Sequence, residues 1–160
     1  METFEKEVVP QVECKEIPLS DEVTLKEIAG LVTTYSWFEG YPVDPLEEVK
    51  HAEYIIGAYE GDRLVSFGYI NRIASPDGKD NGEIWFADVV TIPEREGRGI
   101  FTTQIYPKMM GYALAHEGRI LACTEVPKVD KILADFGWHK IRDTKDEQGN
   151  DCRVYEFPRT

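Results

Sequence analysis

One hundred and sixty residues suffice for a single domain, 1–160, with a hydrophobic core of its own. The chain carries 30 acids against 18 bases, a net charge of −12, which argues against general nucleic-acid binding because neutralising phosphates takes clustered Lys and Arg. A hydrophobic content of 42% is too high for a disordered chain, and no stretch approaches the roughly 20 apolar residues of a membrane span.

An extended segment is expected over about Val8 to Ile17. Ser20, Asp21 and Glu22 then read as a helix start, and Leu25, Ile28, Ala29 and Val32 form one apolar helical face. The aromatic stretch from Tyr35 to Pro42 breaks that pattern. Asp44 and Pro45 open a second, short helix as N-cap and first helical residue. From Tyr54 the period is that of strands: Tyr54–Glu60 and Arg63–Ala74 flank a tight turn, and Glu83–Pro93 follows a polar loop over Ser75–Gly82. Alternation along that third strand puts Glu83 on one face with Trp85, Ala87 and Val89, and Asp88 on the other. A glycine-bearing turn over Glu94–Gly99 leads into a helix over about Ile100–Glu117, with Phe101, Ile105, Met109, Tyr112 and His116 along one side. Pro107 lacks a backbone donor and should kink that helix. A short buried strand over Arg119–Val126, a helix over Val129–Phe136 and two strands over Trp138–Thr144 and Cys152–Phe157 complete the chain. The order β-α-α-β-β-β-α-β-α-β-β predicts an α/β (α+β) fold with a mixed, mostly antiparallel sheet and helices on both faces.

Cys14, Cys123 and Cys152 are scattered and form no CxxC pair, which suggests reduced thiols in a cytoplasmic protein. The acidic N-terminus has no apolar stretch, so no secretory signal is expected. His51, His116 and His139 show no metal-ligand spacing, so no metal is expected. Residues 1–53 hold 13 acids and 4 bases (−9), residues 54–118 hold −3, and residues 119–160 balance to zero. The acidic first third is either a solvated surface or a field that attracts a cationic ligand.

The segment from Val89 to Ile105 carries the most chemical information. A strand feeds a loop containing Gly97 and Gly99, and a helix starts at once. Amides of the loop and first helical turn lack intrahelical partners, and the helix dipole adds partial positive charge. Such a turn suits a pyrophosphate, with Arg95 and Arg98 available to add charge, although an ordinary strand–helix turn has the same composition. A Walker loop is excluded because no Lys-Ser/Thr follows, and the preceding meander does not fit a dinucleotide fingerprint.

The run VVTIPEREGRGIF from Val89 to Phe101 resembles the central motif of the GNAT superfamily, the GCN5-related N-acetyltransferases: V-x-P-x-x-R/Q-x-x-G-x-G/A. The runs LACTEV (121–126) and ILADFGW (132–138) are similar to the strand and helix that follow in that family, and the element order fits it. Three departures from the pattern stand out. Glu96 stands for Arg or Gln, Phe101 for the last Gly or Ala, and Leu133 for a helix Tyr that often protonates the leaving thiolate; Val126 falls near the usual Asn.

The resemblance implies acetyl-CoA as co-substrate and transfer of its acetyl group to a primary amine by direct attack. It further implies that main-chain groups of Val89, Val90 and Thr91 hold the pantetheine arm. Gly97 through Thr102, with Arg95, Arg98, Ile100 and Phe101, would hold the pyrophosphate. Glu83 is the candidate base, and Tyr155 or Tyr106 could replace the absent Tyr. Tyr35, Trp37, Phe38 and Tyr41 would border the acceptor, a cationic small-molecule amine or a protein amine. A homodimer is compatible with the family. The departures also fit an alternative, a catalytically inactive GNAT-fold binding or assembly protein.

Overall fold

The computed structural model describes residues 11–35, 44–74, 79–145 and 149–159. Its strands are β1 (Glu13–Glu16), β2 (Tyr54–Glu60), β3 (Arg63–Asn71), β4 (Ile84–Thr91), β5 (Ile120–Thr124), β6 (His139–Lys145) and β7 (Asp151–Phe157). They form one sheet in the order β1-β2-β3-β4-β5-β7-β6. Among the described residues only the β4–β5 pairing is parallel. The helices are α1 (Glu22–Tyr35), α2 (Pro45–Val49), α3 (Tyr106–Leu114) and α4 (Pro127–Asp135).

Two clusters of buried side chains cover the two faces of the sheet. On one face α1 and α2 bury Leu25, Ile28, Val32 and Val49 against Ile55, Leu64, Phe67, Tyr69 and Val90. The apolar residues at helical spacing on α1, Leu25, Ile28, Ala29 and Val32, are all buried, as their period requires. On the other face Ile105, just before α3, Met109 of α3 and Leu133 of α4 are buried against Val65, Ile70, Ile84, Phe86, Ile120 and Ala122. A smaller cluster of Trp85, Leu121 and Val154 fills the first face beyond the reach of α1.

Local chemistry sets the element ends. Asp44 caps α2 by accepting from the Leu46 N–H at 3.0 Å, with Pro45 as the first helical residue. β3 stops at Asn71, three residues short of the predicted Ala74, because the Asn71 Oδ1 accepts from the Ile73 and Ala74 amides at 3.1 and 2.8 Å. Helix α4 begins at Pro127, two residues before the expected Val129, because proline is well placed in a first helical turn.

The segment before Pro107 differs from the expected kinked helix. Phe101–Ile105 forms a π turn, and the Tyr106 N–H reaches back to the Phe101 carbonyl. The wider turn accommodates the missing donor and the ring of Pro107. Helix α3 then ends at Leu114, so Ile105 and Met109 are buried while His116 lies beyond the helix and exposed.

Candidate functional site

Three local features build the candidate site, and the first is where β4 and β5 part. Ile84, Trp85 and Phe86 pair with Ile120, Leu121 and Ala122, and the pairing stops there. From Val89 to Thr91, β4 is paired only with β3, on its other side. The β4 edge that faces β5 is therefore open over that stretch, and an extended amide chain could add to it.

The second feature is the turn after β4. A single 3₁₀ turn, Pro93–Arg95, ends the strand, and Gly97 and Gly99 follow at φ +79° and +75°. Side chains rarely adopt that conformation, so glycine is required at both positions. A Cβ on Gly97 would meet nothing within 4 Å, so the space beside that residue is open. Among the described residues, the amides from Gly97 to Thr102 have no carbonyl partner; Thr103 is the first to bond, to the Gly99 carbonyl at 2.9 Å. The unpaired amides and open loop make the cradle an anionic diphosphate needs.

Ion pairs hold this turn to the β2–β3 hairpin. Arg95 grips Glu60 through Nε at 2.5 Å and through its terminal nitrogen at 2.7 Å, and Arg63 reaches Glu94 at 2.6 Å. These hydrogen bonds hold the Glu60 and Glu94 carboxyls below the usual carboxylate range. Arg95, expected to meet the cofactor directly, is thus committed to Glu60 and acts on the loop by anchoring it. Arg98 is exposed.

The third feature is a β-bulge in β4. Gly68 opposes Val89 and Ile70 opposes Phe86, so one extra β4 residue sits opposite Tyr69. The bulge overturns the predicted alternation. Val89 packs with Phe86 on the α3–α4 face, while Ala87 packs on the α1–α2 face. Asp88 also turns to the α1–α2 face, where its Oδ2 accepts from the Tyr69 hydroxyl at 2.8 Å. No feature of the Glu83–Pro93 run predicts this pair except the run itself, which places an acid inside an apolar strand.

Glu83 lies at the other end of β4. It accepts from Trp85 Nε1 at 3.3 Å and faces Arg119 at 3.5 Å, and Arg119 also binds Glu156 at 2.9 Å. Tyr155 is buried on the α4 side. Burial and a hydrogen bond to Asp130 raise its pKa, so it stays a neutral phenol. Tyr106 is tied up by Trp138 Nε1, which donates to its hydroxyl at 2.8 Å. Leu133, where the resemblance places a Tyr, is buried in the core. Ile100 is buried, whereas Val90 and Thr91 lock to β3 through the Ser66 hydroxyl, which lies 3.1 Å from the Val90 carbonyl and 2.9 Å from Thr91 Oγ1. The half-buried Phe101 ring turns toward Tyr106, edge to face at 6.0 Å, and Tyr106 in turn contacts Phe136 at 4.5 Å. Thr102 approaches the Gly99 carbonyl at 3.4 Å. Tyr35 ends α1 half exposed, while Trp37, Phe38 and Tyr41 lie outside the described residues. Among the described residues no group of three or more His, Cys, Asp or Glu could hold a metal ion, and no helix is long and apolar enough to cross a membrane.

An opened parallel pair, a bulged central strand and a Gly-x-Gly turn entering a helix characterise this architecture. No family model matches the sequence, and no curated protein does. Solved structures do. The ribosomal-protein-S18-alanine N-acetyltransferase of Escherichia coli is similar with a TM-score of 0.66 at 6% identity, over 94% of this chain and 96% of that one. An aminoglycoside 6′-N-acetyltransferase complexed with coenzyme A is similar at TM-score 0.65 and 15% identity, covering 92% and 99%. A Desulfovibrio desulfuricans protein described as a GNAT-family acetyltransferase gives TM-score 0.65 at 15% identity, covering 91% and 98%. The chain has the GNAT fold, the α/β architecture that the motif between Val89 and Phe101 implies.

Proposed function

We propose that this protein is an acyl-CoA-dependent N-acyltransferase, with acetyl-CoA as donor and a cationic primary amine as acceptor. The observation that carries the reading is the end of β4–β5 pairing at Phe86 and Ala122, with the unpaired amides from Gly97 to Thr102 beyond it. Coenzyme A has a diphosphate and an amide-bearing arm, and these two features offer a fitting surface for each. Similar structures include an acetyltransferase with coenzyme A, which supports the same donor.

The donor would bring an activated thioester, and the chain's own groups do the rest. The glycine loop fixes the diphosphate. The open edge of Val89, Val90 and Thr91 aligns the arm along β4. The net charge of −9 over residues 1–53 would draw in a cationic acceptor.

A second reading, a GNAT-fold binding module without catalysis, is favoured by Leu133 and by the Phe101–Tyr106–Phe136 contacts, which set bulky rings where the motif has a small residue. One measurement separates them. Acetyl-CoA at about 100 times its Kd should add about 2.7 kcal/mol of stability, several degrees in Tm, and Gly99→Val should remove the shift. An unshifted Tm at millimolar acetyl-CoA would leave the binding module as the better account.

A further inference from the structure

Two glycines stand inside adjacent strands, and each lets core side chains close on the sheet. On β3, a Cβ at Gly68 would lie 2.6 Å from Met109 Sδ and 3.3 Å from Ile105 Cγ2. On β2, a Cβ at Gly57 would lie 2.8 Å from Ile17 Cδ1 and 2.9 Å from Leu64 Cδ1. Glycine inside a strand often marks such a close approach. The contacts are on opposite faces: Gly57 meets the α1–α2 core, and Gly68 meets the α3–α4 core. Met109 and Ile105 are fully buried, so neither has solvent to move into if a methyl group is added at Gly68.

Gly68 stands between Ile56 of β2 and Val89 of β4 in one cross-strand row. At Val89, β4 resumes its pairing with β3 past the bulge, and its edge toward β5 is open. Over that row, Ile105 closes the π turn and Met109 follows one helical turn later. The cradle amides, Gly97 to Thr102, lie just ahead of the same turn. Two hydrogen bonds couple them to it: the Thr103 amide donates to the Gly99 carbonyl at 2.9 Å, and the Tyr106 amide donates to the Phe101 carbonyl. How closely the turn and helix approach Gly68 therefore sets how far the cradle stands from the open edge.

We infer that Gly68 is a positioning residue for the donor. Lacking a side chain, it lets Ile105 and Met109 seat on β3, and so it fixes the span between the diphosphate cradle and the Val89–Thr91 edge. The inference rests on the donor half of the reading above. A donor held at both ends binds well only when its diphosphate and its amide arm meet their surfaces together. In such a site a displacement of roughly 1 Å can cost about a hundredfold. A methyl group at Gly68 requires Met109 and Ile105 to give way, which lifts the start of the helix from the sheet. Gly57 supplies the comparison. A methyl group there crowds Ile17 and Leu64, and neither belongs to the segment that carries the cradle.

The test compares Gly68→Ala with Gly57→Ala in the full chain. Calorimetry reads acetyl-CoA affinity, thermal melts read stability, and circular dichroism establishes that each variant is folded at the temperature of the titration. Both variants should melt below the parent, because both overpack a core. Gly68→Ala should bind acetyl-CoA about tenfold more weakly or worse, whereas Gly57→Ala should stay within about twofold of the parent. Adding Met109→Val to Gly68→Ala removes the sulfur that the methyl group meets. Affinity should then return to within about threefold of Met109→Val alone. Should Gly68→Ala fail to fold, Met109→Leu sets a stiffer, branched side chain against Gly68 and carries the test, with binding about threefold weaker than the parent's. Parental affinity in Gly68→Ala, or in Met109→Leu where it stands in, overturns the inference alone. So do equal losses in the two alanine variants, or no recovery with Met109→Val. Absence of acetyl-CoA binding by the parent overturns the donor reading and this inference together.

Discussion

The two ends of β4 show how one strand can serve both stability and binding. At its start, Trp85 and Phe86 are paired on both sides, Ile84 pairs with Ile120, and all three are buried. Past the bulge, the strand keeps β3 and loses β5, and Ala87, Asp88 and Val89 become partly exposed. A central strand ordinarily satisfies its backbone groups within the sheet. Leaving one edge of β4 open is tolerable only because the paired end and the α3 core hold the strand in place. The stabilising residues and the chemically useful ones are thus neighbours along the chain with different tasks.

The largest expected effect lies at the paired end. Trp85→Ala empties a site packed by Leu121 and Val154 and should destabilise by about 3–5 kcal/mol, read as a fall of about 10 °C in Tm. Acetyl-CoA affinity of the protein that remains folded should hardly move. If affinity collapses with stability, the two ends are not separable. At the open end the pattern should reverse. Gly97→Val forces a branched side chain into φ +79°, with about 1–3 kcal/mol of strain, and it fills open space beside the loop. Calorimetry should then register no acetyl-CoA binding even though the variant remains folded at 25 °C.

A smaller effect is expected where the two regions meet. Phe101→Ala removes a half-buried ring from Tyr106 at a cost of about 1–2 kcal/mol, and it restores a small residue at the last position of the motif. Acetyl-CoA should bind more tightly to this variant. Unchanged affinity would show that the ring leaves the cradle alone.

The smallest effect concerns pH and belongs to the far side of the sheet. Hydrogen bonds from Arg153 hold Asp130 below its usual pKa, and those from Arg119 do the same for Glu156. A lowered folded-state pKa contributes stability that is complete above the unfolded value near pH 4 and is lost as pH falls through the folded value. Urea midpoints should therefore be level from about pH 7 to 5 and decline below about pH 4, and Asp130→Asn should make that decline shallower. A decline of the same steepness in Asp130→Asn would remove this pair from the account.

Much of the fold was legible in the residues themselves. The apolar face of α1, the Asp44–Pro45 start of α2 and the tight turn between Glu60 and Arg63 are all local, and each appears where its sequence signal stands. The glycine loop was legible for the same reason, since a positive φ is a property of one residue. The role expected of Arg95 was not, because its partner Glu60 lies 35 residues away on the hairpin.

The chain's own sequence therefore determined which segments become strands and helices, and it determined the turn that follows β4, because periodicity, capping and glycine conformation act over a few neighbours. Tertiary structure alone decided the bulge opposite Tyr69, the point at which β4 leaves β5, and the face on which Asp88 emerges. Each of these depends on register between strands distant in sequence, and a one-residue slip in register reverses every side chain beyond it.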